Sequence, residues 1–451
     1  MRVLFLTVAE KAHAYPQVPL AWALRAAGHE VCVVGQPDVV DDITRAGLTA
    51  VPIGASLDLA QRVQEGSTAE RQDDAGQPAG VEAAEDAEEF PDPTVEMPLD
   101  ELRPEKLTHD HMQGLFATWV MIFQEMSNPD LTDELVEFAR GWGPDLVIWD
   151  PLLFAGGVAA RACGAAHARM LYGLDLIGRM RGRFVAALAE RSALVRDDPM
   201  AEWLDLAAEC YGGGFGEDLV MGQWTIDSFP GSMRFPVDHH YVPVRYVPYN
   251  GPSVLPGWLR EPPKRPRVCL SLGLSFRESL GGDRMSVGEL LEAVAGLDVE
   301  VVATLDAEQL ATVARVPDNV RAVDFVSLNE LLPTCSAIVH HGGFGSSQTA
   351  LAHGVPQIAL PSEVWDIEVR AQRIEQAGAG LCVPRSQVEE ITADRLKGML
   401  VRVLEEPSFA RNAARLRTEM RGTPAPADIV PLLEKLTAEH SRPEGSCGSC
   451  S

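Results

Sequence analysis

The sequence predicts an α/β protein of two doubly wound parallel sheets facing each other across a cleft. Three observations carry this reading. Short apolar runs alternate with helix-spaced segments in both halves of the 451-residue chain, and strands separated by helices pair in parallel through right-handed crossovers. Proline and glycine punctuation is densest at residues 249–263, between the two series. In the second half, the glycine-rich turn Val339-His340-His341-Gly342-Gly343-Phe344-Gly345-Ser346-Ser347 joins an apolar run to a helix start.

The elements follow in order. Residues 2–8 read as a strand, 18–27 as a helix, 30–34 as a strand, 41–46 as a helix and 49–52 as a short strand. Residues 112–141 have helical periodicity with a break near Asn128-Pro129, then 145–149 is a strand, 154–163 a helix and 167–171 a strand. The second series has strands at 267–272, 300–304, 322–325, 337–340 and 357–360, with helices in the gaps. The end is helical over 393–404, 408–420 and 427–439. The chain thus divides into a Rossmann-like domain at 1–248, a linker at 249–263, a second Rossmann-like domain at 264–425, and a C-terminal helix and flexible tail at 426–451. An acidic insertion at about 68–110 interrupts the first domain.

Charge narrows the function. The net charge of −27 argues against nucleic acid, which rewards basic surfaces. Residues 70–101 hold twelve carboxylates against the single base Arg71, so this stretch reads as a solvated loop, a docking surface, or both. No apolar run reaches the roughly 18 residues that span a bilayer, and Glu10 and Lys11 cut the first apolar run short, so the cytoplasm is the expected location. Cys32, Cys269 and Cys335 sit in or beside apolar runs and read as core thiols. The terminal Cys447-Gly448-Ser449-Cys450 has no second pair or histidine to complete a zinc set.

The glycine turn carries the chemistry. Glycines let a backbone approach a ligand closely, and free N–H groups at a helix start, here about residues 345–347, form an anion site. A histidine adds a further donor. The pattern suits a diphosphate cradle; a glycine-rich βα turn with a structural histidine is the alternative. Downstream come His353-Gly354-Val355-Pro356-Gln357, an apolar run to Leu360, Trp365-Asp366, and Arg370-Ala371-Gln372-Arg373.

This block resembles the nucleotide-sugar motif of antibiotic glycosyltransferases with the GT-B fold, and the resemblance covers nearly the whole chain. It is most similar to the macrolide enzymes of the TDP-deoxyaminosugar type, such as desosaminyl and forosaminyl transferases. The resemblance implies an inverting, metal-independent transfer from a TDP-deoxysugar, expected to be an aminosugar, to a hydroxyl of an apolar polyketide macrolide in antibiotic biosynthesis. It implies no cofactor, since the TDP-sugar is a substrate; nor does any D-x-D motif suit a divalent ion.

Residues then take expected roles. His13 lies beyond the first strand, at the cleft end; an imidazole titrates near neutrality, and the family places its catalytic base here. Position alone would suit a loop histidine. Asp150 ends the strand 145–149 and, by the resemblance, orients His13; capping the next helix is the alternative. Gly273 and Ser275 follow the first strand of the second domain, where the family contacts the phosphate side of the nucleotide, unless this is an ordinary βα turn. Val326 lies where family backbone groups receive the base, or is a plain core residue. His341, Gly343, Gly345 and Ser346 match the diphosphate cradle, while His340 ends its strand structurally. Asp366 matches the carboxylate that binds donor-sugar hydroxyls, and Glu363 suits a cationic amino group on the sugar; both are alternatively helix-start or surface charges. Ile367 stands where many relatives have glutamine, compatible with a sugar of few hydroxyls.

A GT-B-type nucleotide-sugar epimerase and a catalytically inactive pathway protein are the rival readings. Protein partners admitted by the resemblance are an auxiliary activator resembling a cytochrome P450, docked on the acidic region, and a second copy of the chain in a homodimer.

Overall fold

The computed structural model describes residues 1–56, 98–271, 286–362, 364–388 and 390–441. Gly273, Ser275, Glu363, Cys447, Cys450 and most of the acidic insertion lie outside these residues.

The first sheet contains β1 (Arg2–Leu6), β2 (Glu30–Gly35), β3 (Thr49–Pro52), β4 (Leu146–Trp149), β5 (Ala166–Met170), β6 (Trp224–Asp227) and β7 (Tyr241–Pro243). Their order is β3-β2-β1-β4-β5-β6-β7. The second contains β8 (Arg267–Ser271), β9 (Glu300–Thr304), β10 (Val320–Val323), β11 (Ala337–His340), β12 (Gln357–Ala359) and β13 (Gly380–Cys382), ordered β10-β9-β8-β11-β12-β13. Every pairing among the described residues is parallel. Two Rossmann-like sheets with flanking helices make the GT-B architecture expected from the sequence.

The central strands are apolar on both faces because helices cover both. Alternate side chains therefore feed two cores. Leu4, Leu6, Val147 and Trp149 pack with the helices His109–Met126 and Ala155–Cys163. Val3, Phe5, Leu146 and Ile148 pack with the helix Lys11–Ala26 and with Ile429, Val430 and Leu433 of the last helix, Pro426–His440. That helix thus completes the core of the first domain. Its His440 ring lies 5.5 Å from Trp224, and Glu434 lies 3.0 Å from His29.

Three differences from the sequence reading matter. The first helix begins at Lys11, not near residue 18, although Pro16 and Pro19 lie inside it. Each proline removes a helical hydrogen bond, but Ala14, Gln17, Val18, Leu20, Ala21 and Leu24 are buried, and that packing holds the helix. β10 lies two residues earlier than expected, leaving Val326 beyond its end. The short strands β6, β7 and β13 and the arginine-rich helix Leu176–Ala189 have no counterpart in the sequence pattern. Arg181 in that helix is buried by ion pairs with Asp198 and Glu217, a tertiary compensation that hydrophobic periodicity does not register.

The domains touch through polar contacts. Arg373 donates to the carbonyls of Met233 and Arg234, Ser232 binds Glu419, and Asn250 accepts from the Asn329 backbone. No described helix is long and apolar enough to cross a membrane.

Candidate active site

In a doubly wound sheet the ligand crevice opens at the carboxyl ends of the strands, where winding reverses. Here those points are the β1/β4 and β8/β11 neighbours. The first carries His13 and Asp150, the second the His341–Ser346 turn.

His13 sits in the first turn of the Lys11–Ala26 helix rather than in a loop. Its Nδ1 lies 2.7 Å from Asp150 Oδ2, with the histidine side chain 12% and the aspartate 1% exposed. A carboxylate only accepts, so Nδ1 carries the hydrogen of this bond, and Nε2 is the atom left for other partners. Asp150 Oδ1 accepts from the Leu152 N–H at 3.0 Å, which fixes the carboxylate. Asp150 is not the cap of the following helix, which starts at Ala155 behind Phe154.

In the second domain, Gly343 caps the helix Phe344–His353 without a capping side chain. The N–H groups of Phe344, Gly345 and Ser346 occupy the first turn, where a helix supplies no internal acceptor. A Cβ at Gly345 would meet nothing within 4 Å, so the backbone here faces open space. Gly342 takes φ +92°, and a Cβ there would fall 2.5 Å from Ile367 Cγ2. Ile367 is therefore packing beneath the turn. His340 is structural: its Nε2 donates to Gln357 Oε1 at 2.9 Å and its Nδ1 accepts from the Gly342 N–H at 3.0 Å. Gln357, from the HGVPQ run, also donates to the Ser347 carbonyl.

Burial pushes His340 down to about 3 and His341 down to about 4, so both are neutral near pH 7. A depressed folded-state pKa means that the unfolded chain binds the extra proton. Stability is then full above the ordinary histidine value of about 6.5 and falls as pH drops toward 4. Urea unfolding at pH 7, 5.5 and 4 is expected to show a loss of roughly 3 kcal/mol for each of the two histidines by pH 4. A His340→Asn variant should lose less over that range; an equal loss would contradict the assignment.

Asp366 and Arg370 join the half-sites. Arg370 Nη1 bonds both Asp366 oxygens at 2.8 and 2.9 Å, while its Nη2 donates to the Gly342 carbonyl at 2.7 Å. Asp366 Oδ2 also accepts from the Leu174 N–H of the first domain at 2.7 Å. Asp366 is 1% exposed, so in this arrangement its carboxylate is engaged internally rather than open to a sugar. Burial raises its pKa, with Arg370 opposing. Val326 packs its side chain among Cys269, Leu331 and Ile338, as a core residue does. Among the described residues there is no group of three metal-ligating side chains.

Comparison with known proteins decides the family. Residues 22–273 match the N-terminal domain, and residues 288–436 the C-terminal domain, of the erythromycin biosynthesis protein CIII-like family. The chain belongs to this family. It is 54% identical over 450 residues to the aclacinomycin-T 2-deoxy-L-fucose transferase of Streptomyces galilaeus, covering 100% of this chain and 99% of that protein. It is 47% identical over 445 residues to the 10-deoxymethynolide desosaminyltransferase of Streptomyces venezuelae, covering 98% and 99%. The solved structure of glycosyltransferase VinC in complex with dTDP matches with a TM-score of 0.85 at 42% identity, over 97% of this chain and 100% of that one.

This CIII-like protein is a glycosyltransferase of antibiotic biosynthesis, a reading favoured over the epimerase and the inactive pathway protein. Sequence reasoning assigned no individual role to four groups that lie beside these half-sites: Tyr172, Trp365, Arg370 and the Leu174 N–H. The Trp-Asp…Arg-Ala-Gln-Arg run marked two of them, but only as part of a motif. Tyr172 follows β5, the next neighbour of β4, and that adjacency was the signal available.

Proposed function

We propose that the chain transfers a deoxysugar, in the cytoplasm, from a TDP-sugar to a hydroxyl of an apolar polyketide aglycone, with inversion and without a metal ion. The observation that carries this is the His13–Asp150 contact at one winding reversal, opposite a helix N-terminus at the other. The helices bearing them, Lys11–Ala26 and Phe344–His353, touch across the domains.

The chemistry follows from the geometry. His13 Nε2 takes the acceptor hydroxyl proton as the oxygen attacks the anomeric carbon, and Asp150 stabilises the imidazolium. The departing diphosphate meets the N–H groups of residues 344–346, the Ser346 hydroxyl and His341, which donates as a neutral ring. Gly343 and Gly345 keep side chains out of its way. Gly273 and Ser275 are assigned to the phosphate side and the backbone at Val326 to the base. Asp366 reaches a sugar hydroxyl only when the Leu174 N–H yields it, and Glu363 is assigned to an amino group on the sugar. A macrolide is the expected acceptor. An aromatic, anthracycline-type aglycone is a second candidate, since homologues transfer TDP-deoxysugars to macrolide or anthracycline aglycones.

The test is product formation from purified TDP-deoxysugars, amino and neutral, with macrolide and aromatic aglycones, in the presence of EDTA. Consumption of the TDP-sugar without any glycoside, or abolition by EDTA, overturns the reading. His341→Ala is expected to weaken TDP binding by roughly 1.5–3 kcal/mol, the contribution of one hydrogen bond to a charged group. Calorimetry with unchanged TDP affinity contradicts that role.

An auxiliary P450-like activator docked on the acidic region, and a homodimer, complete the proposal. Turnover with and without the activator, for wild type and for a variant lacking residues 73–92, tests the first. Full activity of the wild type alone removes the need for it. Light scattering tests the second.

A further inference from the structure

Tyr172 presses on His13. Their ring centroids lie 3.9 Å apart at 43°. Tyr172 stands two residues beyond β5 and is 9% exposed. His13 is tethered at one ring atom, Nδ1, to Asp150. One hydrogen bond leaves an imidazole free to swing about the bond axis; a second contact on the ring face removes that freedom.

Tyr172 is held in turn from the other domain. Trp365 lies 6.0 Å away at 23°, and its indole meets Trp119 edge-on at 5.7 Å. Trp365 takes φ +52°, the one non-glycine residue with positive φ among those described. A bulky residue in that region is strained, and such strain persists where surrounding packing over-determines it. The next residue, Asp366, grips the Leu174 N–H, two positions past Tyr172. Residues 172–174 of the first domain are thus pinned twice by residues 365–366 of the second. The Tyr172 hydroxyl is not a rival base: burial, with Asp150 and Asp366 nearby, holds its pKa well above the ordinary tyrosine value.

We propose that Tyr172 is a positioning residue that sets the plane of the His13 ring, and that Trp365 sets Tyr172, so that the base is aligned only while the two domains are together. This rests on the reading of His13 as the base. The ring matters, not the hydroxyl.

The experiment is a kinetic comparison on the full-length enzyme. Tyr172→Leu is expected to lower kcat roughly 10–100-fold, as misplacement of a reacting group does, with the donor KM and TDP affinity unchanged. Tyr172→Phe should restore turnover to within about threefold, because it keeps the face of the ring. In a His13→Ala background, Tyr172→Leu should cost nothing more, since the two residues act as one unit.

A wild-type kcat in Tyr172→Leu overturns the proposal. So does a Tyr172→Phe variant as slow as Tyr172→Leu, or a full additional loss in the double variant. If Tyr172→Leu fails to bind TDP, Trp365→Leu decides: reduced kcat at unchanged donor KM supports the proposal, and a normal kcat sinks it. Full activity in His13→Ala would instead remove the reading beneath it.

Discussion

His13→Ala is expected to reduce kcat by about 10²–10⁴-fold, the usual contribution of a general base, while TDP binds as before. The split between the two measurements is the informative part. His13 is in the first domain, held by Asp150 at 2.7 Å, whereas the helix start proposed to meet the diphosphate belongs to the second. A variant lacking the imidazole therefore keeps its leaving-group site and loses only the proton acceptor. Asp150→Asn should follow the same pattern with a smaller loss. An asparagine oxygen can still accept from the His13 Nδ1–H, but the side chain no longer offers a charge to the imidazolium. Near-normal turnover in purified His13→Ala would remove the base from the mechanism.

The second large effect is expected at Asp366→Ala. The Asp366 and Arg370 side chains are each 2% exposed, so solvent screens little of their interaction. Removing the carboxylate leaves a buried guanidinium uncompensated, which typically costs about 3–5 kcal/mol. It also leaves the Leu174 N–H without its acceptor. Arg370 keeps its bond to the Gly342 carbonyl, so the turn below loses support without losing contact. Urea unfolding should show the deficit, and turnover should fall with it. Asp366→Asn can still accept from Leu174 and should be less severe. A loss below about 1 kcal/mol in Asp366→Ala would show that the pair is not the tie between turn and domain interface inferred from its burial.

Much of the second half-site was legible in the chain. The run from His340 to Ser347 is contiguous, and its chemistry is local: a strand end, glycines at close approach, a helix start. Gly342 needs its left-handed backbone, and Gly345 faces open space, for reasons that act over a few residues. The separation of His340 from His341 also follows strand alternation, which turns successive side chains to opposite faces. Gln357 as the partner of His340 was not legible, because it lies on the neighbouring strand.

The first half-site divides differently. The chain pattern placed His13 and Asp150 at the ends of two strands, and sheet order brought them together. It misjudged the local structure of His13, because Pro16 and Pro19 oppose a helix that burial against the sheet nevertheless holds.

By itself, then, the sequence determined the two α/β series and the glycine turn, since hydrophobic period and glycine spacing act locally. Only the tertiary structure decided what Asp366 and Tyr172 do. Asp366 reads as a sugar-binding carboxylate, or alternatively a helix-start charge, until Arg370, one turn on, and Leu174, in the other domain, are seen to occupy it. Tyr172 has no individual role in the sequence pattern; the structure sets the rings of His13 and Trp365 against it. Both depend on surfaces that meet across the cleft, and the energy of such contacts belongs to pairs of residues far apart in the chain, which no local pattern encodes.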